Sequence, residues 1–281
     1  MLSPKSWPAA GMVLVAFAAV VWLTYQVPLW LVRDTKGADS FRGAFVQLIG
    51  YGIALAVALY GIKKYSLDKE KQYTDSFSAA IGQLVSESST VRAGGILGLE
   101  RIMSFSPSDH IRVIEIWADF LREHTATPGI SIDPDQPPAD DIAAVLAAFQ
   151  RRKAISGEPP LRLAHIRIPH ARWDRVVLSR ADVTGADFGH ARLRGAVLTE
   201  TVAVDAEFVR ADLTGADLRG ATLNGARFIA AHLKAADLRG ADLSDAVLID
   251  ADLRGADLRE AVGLTTEQLT KARTDQTTRL R

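Results

Sequence analysis

The chain has 281 residues with 33 basic and 33 acidic side chains, so its formal net charge is zero. Nucleic-acid-binding proteins normally carry a clear basic excess, and the charge balance argues against that class. The sequence contains no cysteine, which excludes disulfides, thiolate nucleophiles and cysteine-ligated metal sites. The apolar residues are unevenly distributed, because the N-terminal part is membrane-like in composition and the C-terminal part is a short-period repeat.

Two uncharged stretches, residues 6–32 and 43–62, lie near the N-terminus. About 20 apolar residues in a helix cross a hydrocarbon core about 30 Å thick. We therefore predict two transmembrane helices, at about 8–32 and 43–62. The alternatives are a cleavable signal peptide for the first stretch and a buried helix of a soluble domain for the second.

The positions of lysine and arginine predict the orientation of this hairpin. Five basic residues lie on its outer flanks, and three lie in the loop between the two stretches. This difference favours both termini in the cytoplasm. The basic residues on the flanks are Lys5, Lys63, Lys64, Lys69 and Lys71, and those in the loop are Arg33, Lys36 and Arg42.

Apolar residues at helical spacing follow over residues 66–160 and predict a small helical module. Ser108 is a candidate N-cap for one of its helices, and Asp140 or Asp141 opens the last one. A loop rich in proline and aspartate lies between these helices. It lacks the glycine turn and the terminal bidentate glutamate of a calcium-binding loop, and we expect its acidic side chains, Asp133, Asp135, Asp140 and Asp141, to be solvated. The Gly94-Gly95 pair predicts a close approach between helices rather than a phosphate loop.

From Ile168 onward the chain repeats every five residues without an insertion or deletion, up to Leu258. The 19 repeats have a large apolar residue at the centre in 18 cases, Ala203 being the exception. Alanine stands two residues before the centre in 16 of the 19. This period fits neither a helix nor a flat strand. It predicts a coil that turns a corner after every repeat and points two residues of every five inward.

Four repeats per coil would stack residues 20 apart in the sequence, and the apolar centres agree with that spacing. One such column contains all three central phenylalanines, and another consists only of leucine. We therefore predict that these columns form the structural core of the solenoid. The core residues are Phe188, Phe208 and Phe228 in the first column and Leu178, Leu198, Leu218, Leu238 and Leu258 in the second.

The repeat resembles the pentapeptide-repeat family, whose motif A-(D/N)-L-x-x is present as ADLTG ADLRG ATLNG at 211–225. The resemblance implies a right-handed quadrilateral β-helix. The segment 74–125, with SSTVRAGGILGLERI, also resembles a helical region that precedes such repeats in bacterial membrane-anchored members.

The expected fold class is a membrane-anchored α + β-solenoid. Its four parts are the transmembrane hairpin (1–65), the helical module (66–160), the repeat β-helix (161–262) and a C-terminal capping helix with a tail (263–281). A capping box at Thr265 to Gln268 predicts the start of that last helix. The expected location is the bacterial inner membrane, multi-pass, with most of the chain in the cytoplasm.

We consider three functions for this solenoid. The first is a membrane-tethered scaffold that binds an unidentified protein, since solenoids commonly use their outer faces for binding. The second is a DNA mimic, as in relatives that bind DNA gyrase. However, residues 167–260 carry 12 Asp and 3 Glu against 12 Arg and 1 Lys, a net charge of only −2, which is weak beside a DNA duplex. The third is an enzyme, and we identify no catalytic, cofactor-binding or metal-binding residue. We expect the lipid bilayer as a further partner, but no cofactor, nucleic acid or small-molecule substrate.

Overall fold

The computed structural model describes residue 22 and residues 35–125, 138–155 and 157–280. The chain divides into two units, Met1–Gln72 and Tyr73–Arg281. The first predicted transmembrane helix lies outside the described residues except for Trp22. The helices are α1 (Thr35–Leu84), α2 (Ser89–Phe105), a 3-10 helix (Pro107–Asp109), α3 (His110–Thr125), α4 (Asp140–Arg151) and α5 (Thr266–Lys271).

Helix α1 is much longer than the predicted second span. It begins at Thr35, inside the predicted loop, and continues to Leu84. Within the described residues, one helical segment, Val46–Leu84, is long and apolar enough to cross a membrane, with a mean hydropathy of 1.5. None of its most apolar 18-residue window is buried. The apolar side chains of the segment from Val46 to Ile62 are therefore exposed on the helix.

The end of α1 packs tightly against α2 through two glycines. A Cβ at Gly95 would lie 2.7 Å from the carbonyl oxygen of Ala80, and one at Gly98 would lie 3.2 Å from the Ala80 side chain. The predicted close approach at the Gly94-Gly95 pair is confirmed at Gly95, where no larger residue fits without movement of the backbone.

Two expectations for the helical module are wrong. Ser108 lies within the 3-10 helix, two residues before α3 begins at His110, and is not the residue directly before that helix. Asp141 is not solvated. It is 1% exposed, and Arg92 contacts its Oδ2 at 2.6 Å. The Arg92 guanidinium also donates to the carbonyls of Ser86 and Glu87, so this buried ion pair fixes the loop between α1 and α2 to α4.

The helical module covers the first coil of the repeat. Trp173, in the first coil, is fully buried, and its indole N–H donates to the carbonyl of Leu146 at 3.0 Å. Phe149 packs edge-on against both Trp117 and Trp173, with ring centroids 5.5 and 5.9 Å apart. Since a solenoid needs a cover on each end of its core, α3 and α4 serve as the N-terminal cap.

A buried charge cluster strengthens this junction. The carboxylate of Glu158 lies 2.6 Å from Nε2 of His110 and 2.5 Å from Nη1 of Arg152. Burial alone would raise the pKa of Glu158, but hydrogen bonds from His110 and from the Ile155 N–H, together with the Arg152 charge, lower it. Arg152 also donates to the carbonyl of Val177 in the first coil, so the cluster joins α3, the end of α4 and the repeat.

The repeat forms a ladder of parallel bridges between residues 20 apart. Seventeen bridges run at five-residue steps from Arg162↔Asp182 to Asp242↔Val262. Each is an isolated bridge, and the described residues form no extended strand. In the repeats from Asp182 to Gly240, the N–H groups of the second, central and fifth residues bond to carbonyls of a neighbouring coil, as Asp187, Phe188 and His190 do. The coils are thus held together by single-residue contacts repeated every five residues.

The two inward positions of each repeat are closed to solvent. The central residues from Ile168 to Leu258 are 0–2% exposed, and the alanines two residues before them are 0–3% exposed. At the one threonine in this position, Thr201, the buried hydroxyl donates to the carbonyl of Leu178 at 2.9 Å. That hydrogen bond allows a polar side chain in the apolar interior.

Every corner has a residue with positive φ, whether or not it is glycine. The fifth residue of each repeat from His165 to Glu260 has φ between +54° and +73°. Seven of these 20 residues are glycine and 13 are not. The next N–H bonds back to the central carbonyl of the same repeat, as from Ala191 to Phe188 at 3.0 Å, which closes a turn with positive φ at its third residue.

The far end is covered by α5 and by the tail beyond it. The predicted capping box is confirmed: Thr265 accepts from the N–H of Gln268, and the Gln268 side chain accepts from the N–H of Thr265. The tail then returns to the ladder, where Arg273 bridges to Asp252 and Arg279 to Asp257. The sequence did not predict this pairing, because it occurs after the five-residue period has ended.

The corners lead to a first testable prediction. Gly240 has φ +66° and open space where a Cβ would lie, so Gly240→Ala isolates the cost of the backbone conformation. It should lower the free energy of unfolding by about 1 kcal/mol, measured by thermal unfolding of the full chain in non-ionic detergent. Ala230→Gly, at a corner with φ +54°, should raise it by about 0.5 kcal/mol, since relief of strain exceeds the added chain entropy.

The matched control is Ala231→Gly, one residue further along in the buried alanine row. It should be destabilising by about 1 kcal/mol. Equal effects of glycine at 230 and 231 would contradict the assignment of strain to the corner.

Candidate functional site

The outer surface of the solenoid is the candidate functional site, and its chemistry begins with one backbone group. The N–H of the fourth residue of each repeat has no place in the coil-to-coil ladder, as at Thr184 and Arg239. An aspartate at the second position accepts this N–H, at 3.0 Å from Thr184 to Asp182 and 3.2 Å from Arg239 to Asp237. This contact occurs in eight repeats, at Asp182, Asp187, Asp212, Asp217, Asp237, Asp242, Asp252 and Asp257.

The aspartate of the motif therefore has a structural role that the sequence analysis missed. The period alone predicts only that this aspartate faces outward, solvated or paired with arginine. Because an unpaired N–H on a tightly wound coil is costly, a short acceptor two residues earlier stabilises the turn. The signal was present in the A-(D/N)-L spacing, since aspartate and asparagine are the residues that accept from an N–H two positions later.

Three coils present a regular Asp–Arg face, which we define as Asp217, Arg219, Asp237, Arg239, Asp257 and Arg259. Each arginine bonds to both carboxylate oxygens of the aspartate in its own repeat, as Arg219 does to Asp217 at 2.8 and 2.7 Å. Arg219 also lies 3.7 Å from Asp237 on the next coil. The face is thus a two-dimensional ion-pair network of alternating sign.

The arginines of this face lower the pKa values of its carboxyl groups. The hydrogen bonds from Arg219 to Asp217 and from Arg239 to Asp237 are the largest cause at each carboxyl. At Asp257, the hydrogen bond from Arg259 is the largest contribution, and the pKa is lowered to about 2. These carboxylates remain charged well into the acid range.

The histidines of the repeat do not form a metal site in the part of the chain that is described. Groups of three or more His, Asp or Glu side chains that could hold a metal ion are absent from those residues. The rings of His170 and His190 stack on neighbouring coils with centroids 4.7 Å apart. The sequence puts His170 at an outward position of its repeat, but its Nε2 is buried with no hydrogen-bond partner among the described residues.

The structure places the predicted core residues inside the solenoid. The rings of Phe188 and Phe208 are stacked with centroids 5.3 Å apart, and those of Phe208 and Phe228 with centroids 5.0 Å apart. The leucine column, from Leu178 to Leu258, is 1–2% exposed. These residues are therefore remote from any partner, and binding has to use the outward positions.

Comparison with known proteins agrees with this geometry. Residues 162–195, 191–228 and 226–262 match the pentapeptide repeats family, with 8 copies. A search of curated proteins gives no match. Residues 162–262 are therefore a pentapeptide-repeat domain, and in this region the chain belongs to the pentapeptide-repeat family.

Solved structures of pentapeptide-repeat proteins are also similar to the chain. HetL, involved in heterocyst differentiation regulation in the cyanobacterium Nostoc sp. strain PCC 7120, is 32% identical over 41% of this chain and 56% of its own, with a TM-score of 0.28. Rfr23 from the cyanobacterium Cyanothece 51142 is 30% identical over 38% and 65%, with a TM-score of 0.25. QnrB1, a plasmid-mediated fluoroquinolone resistance protein, is 18% identical over 46% and 70%, with a TM-score of 0.16. The chain thus spans 56% of HetL and 65% of Rfr23.

The aspartates both accept a backbone N–H and pair with arginine, and this gives a second prediction. It is tested at Asp257 by measuring stability at different pH values. Its pKa in the folded chain is about 2, whereas in an unfolded chain it is about 3.9. A lowered pKa contributes stability above about pH 4 that is lost as the pH falls towards about 2. Asp257→Asn keeps an oxygen acceptor for the Arg259 N–H but not the charge. Its deficit in melting temperature against the native chain should therefore shrink between about pH 4 and about pH 2.

Asp257→Ala is the matched variant. It removes the acceptor as well as the charge, so it should melt below the asparagine variant at every pH in this range. If the alanine and asparagine variants melt together throughout, the aspartate does not serve the backbone N–H.

Proposed function

We propose that the chain is a membrane-tethered scaffold whose pentapeptide-repeat solenoid presents its outer faces to a protein partner on the cytoplasmic side. The observation that carries the proposal is the combination of an exposed apolar helix segment, Val46 to Ile62, with a solenoid whose interior is filled by its own side chains. The first feature supports anchoring in lipid, and the second leaves the outer faces for recognition.

The membrane tether is supported by the side chains of α1. Leu48, Leu55, Leu59 and Ile62 are 58–67% exposed. Burial of such side chains in hydrocarbon is favourable by about 25 cal/mol for each Å² removed from water. With the uncharged stretch at 8–32 as a second span, the N-terminal region would form a hairpin, and the excess of lysine on its flanks favours termini in the cytoplasm.

We also propose that the coil is a right-handed quadrilateral β-helix. The interval of 20 residues between bridged positions supports four sides, since it contains four repeats. Such a coil has four flat faces, and each presents one repeat from every coil. A surface of this kind suits protein recognition because its side chains change from one coil to the next without altering the core.

A DNA mimic that binds gyrase is the alternative, and the charges of the outer surface speak against it. The repeat has a net charge of −2 over residues 167–260. Arginines neutralise the aspartates of the Asp–Arg face, as Arg239 does at 2.7 Å from Asp237. A surface of paired charges differs from the unbroken negative potential of a duplex.

The orientation gives a third prediction. A reporter enzyme that is active only outside the cytoplasm should be inactive when fused after Arg281. It should be active when inserted before Thr35, between the two proposed spans. Activity of the C-terminal fusion with an inactive inserted reporter would reverse the orientation. Activity of both, or of neither, would contradict the hairpin.

The protein partner gives a fourth prediction. A photoreactive residue placed in intact cells at Arg194, Asn224, Ile229 or Arg239, one on each face, should give an adduct of defined mass with a second polypeptide from at least one face. The same residue at Leu55, in the proposed span, should not give that adduct. Absence of a polypeptide adduct from all four faces would contradict a scaffold role.

A further inference from the structure

One face of the first two coils differs in charge from the Asp–Arg face. In the Asp–Arg face the second residue of each repeat is aspartate and the fourth is arginine. On one face of the first two coils, the second residue is instead arginine, at Arg172 and Arg192. Two further arginines, Arg175 and Arg194, follow in the same repeats. We call these four residues the arginine cluster.

The two arginines at the second positions lie directly opposite each other. Arg172 and Arg192 form one of the parallel bridges between neighbouring coils, which are about 4.8 Å apart. Like charges in directly opposed positions are destabilising. Aspartates in the same arrangement, such as Asp217 and Asp237, each have an arginine from their own repeat. The arginine pair has no equivalent set of counter-charges.

One carboxylate lies within the arginine cluster, and the fold uses both of its oxygens. Asp174 Oδ2 accepts from Arg192 at 2.6 Å, and its Oδ1 accepts from the backbone N–H of Arg194 at 3.2 Å. The second contact replaces the one made by aspartate in other repeats, because Arg192 stands at the position of that aspartate. Asp174 is therefore a structural acceptor, and its oxygens are already occupied by contacts within the fold.

The remaining charges leave the arginine cluster with a positive excess. Arg194 reaches Asp212 on the next coil at 3.5 Å. Among the described residues, no ion pair is formed by Arg172 or Arg175. Four arginines against two aspartates give a local net charge of +2, although the repeat as a whole is slightly acidic. Arg172 and Arg175 are exposed, and so are Arg192 and Arg194.

The shape of the surface provides room for a ligand. An open depression of about 570 Å³ is lined by Asp174, Arg175, Arg192, Arg194 and Gly195. Gly195 lines it at a corner, and a Cβ there would lie 3.6 Å from the Arg175 side chain. Because the corner has no side chain, the guanidinium groups border an open space.

We infer that the arginine cluster is a docking site for an acidic segment of a protein partner. A guanidinium group binds a carboxylate through two parallel hydrogen bonds, and two unpaired arginines with a net charge of +2 suit two or three carboxylates. The patch covers only two coils, about 10 Å of the solenoid, which is short for a nucleic acid whose duplex carries a charge every 1.7 Å or so. The inference rests on the proposed protein-binding role and names the chemistry of the partner.

A titration with a hexaglutamate peptide tests this site on the full chain in non-ionic detergent. The peptide should bind saturably and more weakly as salt is added. Arg172→Gln combined with Arg175→Gln should weaken binding at least about 10-fold, the loss expected when charge-assisted hydrogen bonds are removed. The control, Arg219→Gln combined with Arg239→Gln, makes the same change of net charge on the Asp–Arg face and should weaken binding less than about 2-fold.

A second variant changes the shape of the site without changing its charge. Gly195→Asn fills the depression with a residue that tolerates positive φ and leaves every arginine in place, so it too should weaken binding. As a folding control, the thermal unfolding curve of each variant is measured and should resemble that of the native chain. Equal weakening by the two double variants, or no saturable binding to the native chain, would overturn the inference.

Competing ligands are compared in the same titration. Inorganic phosphate, a single-stranded oligonucleotide and vesicles of anionic lipid should each bind more weakly than hexaglutamate. Tighter binding of the oligonucleotide or the vesicles would overturn the assignment to a protein segment. The result is distinct from the test of the proposed function. Polypeptide adducts in cells without hexaglutamate binding would reject only this site, and their absence from all four faces would reject the scaffold.

Discussion

The solenoid depends on one constraint, which is that every fifth residue must turn a corner while the backbone remains bonded to the coils on either side. In the interior coils, ladder bonds use the N–H groups of three residues in each repeat and the turn uses a fourth, while in eight of the 19 repeats the remaining N–H donates to an aspartate. The small alanine side chain fits the narrow interior of such tight coils, and the central apolar residue fills the remaining volume. The composition of the repeat follows from these hydrogen bonds rather than from hydrophobicity alone.

Much of this architecture could be predicted from the sequence, because a strict period leaves few geometries. The stacking of Phe208 between Phe188 and Phe228 was predicted by their spacing of 20 residues. The ends of the solenoid were less accessible. Nothing periodic indicates that Arg279 pairs with Asp257, or that Trp173 donates to Leu146 in a helix 27 residues earlier. Such contacts depend on packing between segments with unrelated patterns.

The candidate site was harder to predict than the fold for a related reason. The sequence indicates a solvated or ion-paired Asp237, but not that its carboxylate also accepts the backbone N–H of Arg239. The arginine cluster could have been noticed as a departure from the Asp-x-Arg order. Its significance appears only in the structure, where Asp174 is engaged by the backbone N–H of Arg194 and no ion pair of Arg172 or Arg175 is found among the described residues.

The use of aspartate by the backbone has a consequence for how this surface can diversify. In the eight repeats where the carboxylate accepts an N–H, the second position is constrained by the fold, and the inward positions are fixed by packing. In these repeats only the fourth residue and the corner residue, two positions of every five, are free to vary for recognition. A repeat without aspartate, such as that of Arg192, has a third outward position available for recognition, and its fourth N–H can use an acceptor from another repeat. Asp174, which serves the N–H of Arg194 from the coil below, is such a substitute.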